Sequence, residues 1–165
     1  MKNIYLIGGT MGIGKTSTCQ ILKNKLQSSV FLDGDWCWDM NPFIVTEETK
    51  RMVNDNICFL LNNYIKCSVY ENIIFCWVMH EQSIIDTLLS RLNSGHALIH
   101  NISMICSPGA LEDRLSKDIV AGIRTPEVRS RSLKKLPLYQ TLNTHKINVT
   151  DLTPEEVVAS ILCNK

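Results

Sequence analysis

Paired cysteines and closely spaced zinc ligands are missing from this sequence. None of the seven cysteines forms a C-x-x-C pair or a zinc-like spacing; they are Cys19, Cys37, Cys58, Cys67, Cys76, Cys106 and Cys163. Several of them lie in apolar stretches, where a free cysteine behaves as a small hydrophobic residue. The pattern argues against a disulfide scaffold and a zinc-ribbon protein. It fits a reducing compartment, and we expect a cytoplasmic protein.

Long apolar runs and an excess of charge are also lacking. No apolar stretch approaches the roughly 20 residues that a membrane-spanning helix needs, and the residues after Lys2 form no signal-peptide core. Lysine and arginine total 17 against 16 acidic residues, for a net charge of +1. A nearly neutral chain offers no electrostatic argument for binding nucleic acid or an anionic membrane, and we expect neither partner.

The chain contains no internal repeat and no low-complexity linker. Its 165 residues suffice for one domain with a proper core, and we expect residues 1–165 to form a single unit. Hydrophobic residues make up 45% and charged residues 20% of the sequence, which is ordinary for a globular protein.

One motif near the amino terminus is specific. The sequence matches G-x-x-x-x-G-K-[ST] at Gly9, Thr10, Met11, Gly12, Ile13, Gly14, Lys15 and Thr16. A short apolar run, Ile4–Ile7, precedes the motif and predicts a buried strand, while Cys19, Leu22 and Leu26 follow it at helical spacing. Strand, glycine loop and helix form the context that a phosphate-binding P-loop requires.

The chemistry of such a loop follows from its residue types. Glycines let backbone N–H groups converge on an anion, and the helix amino terminus adds its positive dipole end. Lys15, which we expect to be exposed, can reach the terminal phosphates, and the Thr16 hydroxyl can ligate Mg²⁺. We therefore predict that residues 9–17, ending with Ser17, bind ATP with Mg²⁺. The alternative is a glycine-rich turn with a chance lysine.

Strands and helices are predicted to alternate along the whole chain, which favours an α/β fold. This pattern is typical of a three-layer αβα sandwich around a five-stranded parallel sheet. We predict strands at about 3–7, 30–32, 73–79, 98–106 and 146–149. Helices are predicted at about 15–27, 46–67 and 84–92, with one or two helices at about 110–136 and a last helix from 154 onward that begins with a capping box at Thr153. Gly95 is expected to end the third of these helices in the C′ position.

Two carboxylates follow the second predicted strand, Asp33 and Asp35. In an extended stretch, residues two apart project to the same side, so both acids should face the ligand edge of the sheet. Phosphoryl transfer needs a carboxylate near Mg²⁺ and a group that deprotonates the attacking hydroxyl. The alternative is a loop stabilised by its aspartates.

All three tryptophans follow strands at the same edge: Trp36, Trp38 and Trp77. We predict that they border an acceptor with a planar or apolar body, although core packing explains buried tryptophans equally well. His80 and Glu81 are further candidates for acceptor contacts, or simply the start of a helix.

Basic residues concentrate between 113 and 135. This segment holds seven lysines and arginines against three acids, a local charge of +4. In a phosphate-binding protein it is a candidate clamp over the ligand; otherwise it is a solvated helix face.

The glycine motif, Leu32-Asp33-Gly34-Asp35, the basic segment and Thr153-Pro154-Glu155-Glu156 together resemble the small P-loop kinases. This group includes gluconate kinase, shikimate kinase, chloramphenicol phosphotransferase and adenylate-kinase-like enzymes. The resemblance implies strand order 2-3-1-4-5 and a lid at about 110–136.

The same resemblance implies roles for individual residues. Asp33 would belong to the Mg²⁺ shell, and Asp35 would hold and deprotonate the acceptor hydroxyl. Arg114 would lie against the adenine. Arg124, Arg129 or Arg131 would stabilise the transferring phosphoryl group, and we select Arg129. The chain departs from the family where Trp36-Cys37-Trp38 follows the acid pair and where no acid ends the third strand.

The sequence thus predicts an ATP- and Mg²⁺-dependent phosphotransferase with Lys15, Asp35 and Arg129 as catalytic residues. The acceptor would be a hydroxyl of a small metabolite or antibiotic. A nucleoside or nucleotide kinase is the first alternative, and a non-enzymatic ATP-binding module or weak NTPase switch is the second. We expect a monomer or a homodimer.

Overall fold

The computed structural model of the chain describes residues 1–163 and contains one parallel sheet. Its strands are β1 (Asn3–Gly8), β2 (Ser29–Asp33), β3 (Asn72–Trp77), β4 (Leu98–Ile105) and β5 (His145–Asn148), in the order β2-β3-β1-β4-β5. β1 lies at the centre, with Leu6 opposite Phe75 on one side and Asn101 on the other. This is the P-loop NTPase fold, and it confirms the predicted architecture and strand order.

Six α-helices connect and flank the strands. They are α1 (Lys15–Lys25), α2 (Glu47–Lys66), α3 (Gln82–Arg91), α4 (Pro108–Val120), α5 (Val128–Lys135) and α6 (Pro154–Cys163). Two 3₁₀ segments, Gly34–Trp38 and Leu136–Thr141, complete the described chain. Among the described helices, none combines the length and apolar character that crossing a membrane requires.

Alternation along the strands divides the core into two layers. In β1, Tyr5 and Ile7 pack with residues of α1, α4 and α6, while Ile4 and Leu6 pack on the opposite face with α2 and α3. Because successive side chains of a strand point to opposite faces, a continuously apolar strand must be covered by helices on both sides. The αβα sandwich follows directly from that pattern.

One predicted detail differs in the structure. The third predicted helix ends at Arg91 with Leu92 as its C-cap, so Gly95 is not the C′ residue; its φ of 54° belongs to the turn that leads into β4. The basic segment, predicted as one or two helices, forms two, α4 and α5, which are separated by a turn at Gly122 with φ 72°. Glycine tolerates this left-handed backbone, so the turn falls there.

The capping box predicted for α6 is present. The backbone N–H and hydroxyl of Thr153 donate to Glu156 Oε2 at 2.8 and 3.0 Å, and the Glu156 N–H donates to Thr153 Oγ1 at 3.3 Å. These bonds fix the start of α6, which positions Pro154 and Val157 at the nucleotide-facing edge of the sheet.

We expect Thr153→Ala to reduce the free energy of unfolding by about 1 kcal/mol, because the Glu156 backbone N–H loses its acceptor. Urea denaturation measures the change. Asp151→Ala, at an exposed position just before the cap, is the control and should leave the midpoint nearly unchanged. Equal midpoints for wild type and Thr153→Ala would show that the box does not stabilise the helix.

Candidate nucleotide and acceptor site

The loop between β1 and α1 has the backbone that an anion cradle requires. Gly12 and Gly14 have φ values of 81° and 104°, and Gly14 caps α1. Side chains are disfavoured in this region, so glycine is needed at both positions. A Cβ at Gly12 would also collide with the side chain of Leu115 on α4. The loop therefore packs directly against α4.

Lys15 is buried, contrary to the expectation of an exposed loop lysine. Only 8% of the residue is accessible, and its Nζ donates to the Thr10 carbonyl at 3.1 Å. Burial lowers the pKa of Lys15, although the nearby charges of Asp35 and Asp33 act to raise it. The Thr10 hydroxyl turns away from the loop and donates to the Ser132 carbonyl of α5 at 2.9 Å. Only the backbone of Thr10 can therefore serve a phosphate.

A chain of hydrogen bonds connects the loop to the exit of β2. The Thr16 hydroxyl donates to Asp33 Oδ2 at 2.6 Å, and the Asp35 N–H donates to Asp33 Oδ1 at 3.0 Å. The turn is a 3₁₀ helix with Asp33 as its N-cap, not the extended stretch that the sequence argument assumed. Asp33 is buried, whereas Asp35 lies in the cleft wall, where it is partly desolvated but keeps access to solvent.

The oxygen donors at this turn suit Mg²⁺. Hydroxyl and carboxylate oxygens are the ligands that this hard cation prefers, usually together with several waters and substrate phosphates. Residues 1–163 contain no group of three or more His, Cys, Asp or Glu side chains that could hold a metal by themselves. The site therefore fits a metal that arrives with a triphosphate and does not fit a complete protein cage.

The pKa of Asp35 is raised above its ordinary value. Desolvation by the cleft walls is the main cause, and the neighbouring Asp33 carboxylate adds to it. The charges of Lys15 and Arg124 act in the opposite direction, as does the Trp77 indole N–H, which faces the carboxylate as a hydrogen-bond donor. Asp35 therefore holds a proton more readily than an ordinary aspartate does.

Gly34 has a steric role between the two acids. A Cβ at this position would lie 2.5 Å from Cγ and 2.6 Å from Cδ1 of the Trp77 indole. The side chain at the end of β3 therefore packs closely against the Asp33–Asp35 turn. This contact explains a residue that the sequence argument left unassigned.

A cleft of about 340 Å³ extends from the loop toward α6. Its walls are Met11, Gly12, Ile13, Gly14, Lys15, Thr16, Ser17, Thr18, Asp35, Met104, Arg114, Lys117, Asp118, Arg124, Val149, Leu152, Pro154 and Val157. Most of the predicted nucleotide-binding residues thus line one cavity. Gly9 lies behind it, where an added Cβ would meet Ile13 at 2.8 Å.

Arg114 joins the two sides of this cleft. Its guanidinium donates to the Ile13 carbonyl at 3.3 Å and to the carbonyls of Val149 and Thr150 at 2.5 and 3.3 Å. The side chain thus connects the glycine loop to the segment between β5 and α6.

The candidate lid arginines occupy different positions. Arg124 lines the cleft, with its Nε donating to Asp118 Oδ2 at 2.9 Å. Arg129 donates to Ser116 Oγ at 2.9 Å and is not among the lining residues, and Arg131 is exposed. In this structure the cleft therefore contains Arg124 and not the predicted Arg129. Sequence alone could not separate them, because both lie in one basic segment.

A second cavity of about 560 Å³ adjoins the acid turn. Trp77 is part of its wall, so this ring separates it from Asp35. Trp38, His80 and Glu81 line it too, as predicted for acceptor contacts. Trp36 does not: it is 53% exposed and its ring packs edge-on against Phe31, at 5.2 Å between centroids.

The sequence argument missed part of this cavity wall. Lys50 and Asn54 of α2 line it, as does Lys135 at the end of α5. Helical spacing of four residues places Lys50 and Asn54 on one face of α2, which is a signal that could have been used. The sequence does not indicate that Lys135 lies near β3, because only tertiary packing brings the end of α5 close to that strand.

Comparison with known proteins gives one family match. The sequence model of the AAA domain matches residues 6–130, which is more than half of the chain. The match includes the glycine loop, the acid turn and most of the basic segment. No curated protein sequence is significantly similar to this chain.

Solved structures with similar folds cover nearly the whole chain. The tunicamycin resistance protein of Deinococcus radiodurans is 19% identical, with a TM-score of 0.67, covering 99% of this chain and 95% of its own. A gluconokinase from Sinorhizobium meliloti 1021 is 16% identical, with a TM-score of 0.70 and coverages of 98% and 90%. A shikimate kinase from Acinetobacter baumannii is 18% identical, with a TM-score of 0.64 and coverages of 98% and 91%. At these identities the likeness establishes the fold.

The raised pKa of Asp35 predicts that this residue destabilises the fold near neutral pH. A carboxyl whose folded pKa exceeds its unfolded pKa binds more protons when folded, so stability is lost as pH rises through that window. We expect Asp35→Asn to raise the urea midpoint at about pH 7. The gain should disappear as pH falls below the ordinary aspartate pKa, where the wild-type residue is protonated in both states.

Asp39→Asn serves as the control, since Asp39 is an exposed carboxylate that does not line the cleft. It should not reproduce the pH-dependent gain. A lower midpoint for Asp35→Asn near neutral pH would contradict the inferred direction of the pKa shift.

Proposed function

The chain belongs to the AAA domain family, and on that premise we propose that it is a small-molecule kinase. It would transfer the terminal phosphoryl group of ATP to a hydroxyl of a small metabolite or antibiotic, with Mg²⁺ as cofactor. The proposal rests on one arrangement: Asp35 lies between a P-loop cleft and a second cavity, separated from the latter by Trp77. A kinase must bring a nucleotide and an acceptor together at such a junction.

The nucleotide half of the site supplies binding and charge compensation. The loop N–H groups and the buried Lys15 would hold the phosphates, with Lys15 exchanging its Thr10 carbonyl partner for a phosphate oxygen. Arg114, together with the segment 149–152, would border the base. Leu152 and Val157 add apolar surface there.

The two acids would divide the remaining tasks. Thr16 and Asp33 would hold the magnesium ion of the nucleotide, which supplies charge neutralisation at the phosphates when bound. Asp35 would accept the proton of the acceptor hydroxyl. Its raised pKa moves it closer to the operating pH, which favours general-base catalysis.

The helices α4 and α5 would act as a lid over the nucleotide cleft, within one domain. Arg124 lines the cleft and is the better candidate for stabilising the transferring phosphoryl group. Arg129, selected from the sequence, would reach the phosphates only after leaving Ser116 and moving with the lid.

A nucleoside or nucleotide kinase is the second candidate. Trp38 and Trp77 both line the second cavity of about 560 Å³, which we call the acceptor cavity. Indole rings stack well on planar bases. A panel of nucleosides, sugars and hydroxy acids would separate the two candidates. If ATP turnover did not rise with any acceptor, the alternative of a binding module or weak NTPase switch would be favoured.

We expect Lys15→Met to abolish stabilisation by ATP and Mg²⁺. Methionine keeps an unbranched apolar stem in the buried site, so the fold should persist without the charge. Near a hundredfold excess over Kd, the wild-type protein should gain about 2.7 kcal/mol, or roughly 5–10 °C in Tm. Lys25→Met, at the exposed end of α1, is the control and should retain the shift. Equal shifts in all three proteins would remove the basis of the proposal.

The division of roles between the acids predicts two different defects. Asp35→Asn should lower acceptor-dependent turnover on the order of 10²–10⁴-fold with ATP affinity little changed, because the base is lost. Asp33→Asn should raise the Mg²⁺ concentration needed for half-maximal rate, and excess Mg²⁺ should partly restore it. Steady-state kinetics across a magnesium series measures both effects.

The reverse rescue pattern would exchange the two roles. Near-normal kinetics for both variants would show that the turn is not catalytic.

A further inference from the structure

The acceptor cavity contains a lysine without a counter-ion. Lys135 lies in its wall at the last residue of α5 and is half-buried. Within the described residues, no carboxylate oxygen lies within 4.0 Å of its Nζ. The pKa of Lys135 is lowered by desolvation and by the nearby Arg131. Its charge is thus partly removed from water and not compensated.

The other charged groups of the cavity differ from Lys135. Lys50 forms an ion pair with Glu47 at 2.8 Å. Glu81 has a largely exposed side chain, with Oε1 3.5 Å from His80 Nε2. It attracts Lys135 only at longer range. Lys135 is therefore the cation of this cavity that remains available to a ligand.

His80 does not compete with Lys135 as a cation. Desolvation and the charge of Lys135 lower the pKa of His80, so the ring is neutral near neutral pH. A neutral imidazole has one N–H, and this ring already has the Val78 backbone as a hydrogen-bond partner. The anion contact of the cavity is therefore the half-buried Lys135, whose ammonium group can form charge-assisted hydrogen bonds with a carboxylate or phosphate group.

The rest of the cavity suits a planar body. Trp38 and Trp77 contribute indole surfaces, and Ile84 and Val45 contribute aliphatic surface. The volume of about 560 Å³ is within the range of small-molecule sites. Trp77 also packs against Gly34, so the cavity adjoins the acid turn through this residue.

We propose that this cavity binds a ring-containing organic anion, whose carboxylate or phosphate group pairs with Lys135 while its ring lies against Trp38 and Trp77. The identification of this ligand as the hydroxyl-bearing phosphoryl acceptor rests on the proposed kinase function. The anion site itself does not, since it depends only on the cavity and its charge.

Binding of simple probes without nucleotide tests the site. Benzoate and phenyl phosphate present the ring with each kind of anion, whereas benzyl alcohol and benzylammonium present it neutral and cationic. We expect both anions to quench tryptophan fluorescence and to bind more tightly than the other two in calorimetry. The tighter of the two anions identifies the acidic group that the site prefers.

Substitutions at Lys135 should change this order. Lys135→Gln should weaken binding of the anions roughly ten- to a hundredfold, the cost expected when a charged hydrogen bond is lost. Lys135→Glu should favour benzylammonium over benzoate. Lys134→Gln is the matched control, because Lys134 is adjacent on the same helix end but exposed and outside the cavity, and it should bind as wild type.

Three results would overturn the proposal: no binding of either anion, equal binding of benzoate and benzyl alcohol, or unchanged anion affinity in Lys135→Gln. The thermal shift with ATP and Mg²⁺ is measured on the same variants. No anion binding by the wild-type protein, together with an intact ATP response, would reject the anion site alone. Anion binding without any ATP response would reject the kinase proposal and leave the anion site standing.

Discussion

The hydrogen bond from Thr16 to Asp33, 2.6 Å long, is the contact on which the candidate site depends. It joins the first turn of the helix that follows the glycine loop to the last residue of β2. Since β3 lies between β1 and β2 in the sheet, this bond spans a full strand. Asp33 also accepts the N–H of Asp35 and so positions the second acid. The loop, the proposed metal ligands and the proposed base are thereby held in one unit.

Trp77 extends this unit to the acceptor side. Its indole packs where a side chain at Gly34 would have to be, and its N–H faces the Asp35 carboxylate. The other surface of the residue belongs to the cavity that contains Lys135. In many P-loop enzymes an acid would end this strand; here an aromatic ring does. Because Trp77 contacts both, a movement of its ring would change the shape of the acceptor cavity and the surroundings of the proposed base together.

The tryptophans show where reasoning from sequence failed. Trp36 and Trp38 are two residues apart, and in an extended segment they would share a side. The segment Gly34–Trp38 is a 3₁₀ helix, in which residues two apart point in directions that differ by about 120°. Trp38 therefore faces the acceptor cavity, and Trp36 packs on Phe31. The conformation of the turn depends on the local N-cap bond from the Asp35 N–H to Asp33 and on the close packing of Trp77 against Gly34, which is a contact between residues far apart in sequence.

Local pattern by itself determined the fold class, the glycine loop, the position of the acid pair after β2 and the cap of α6, because each depends on neighbours in the chain. Glycine at positions 12 and 14, alternating apolar strands and the Thr153–Glu156 pair act over a few residues. The strand order needed the family resemblance as well. Only the tertiary structure decided the burial of Lys15, the choice of Arg124 over Arg129 in the cleft, and the presence of Lys135 beside Trp77. These depend on how helices far apart in sequence pack across the sheet, and no periodicity or spacing along the chain encodes that packing.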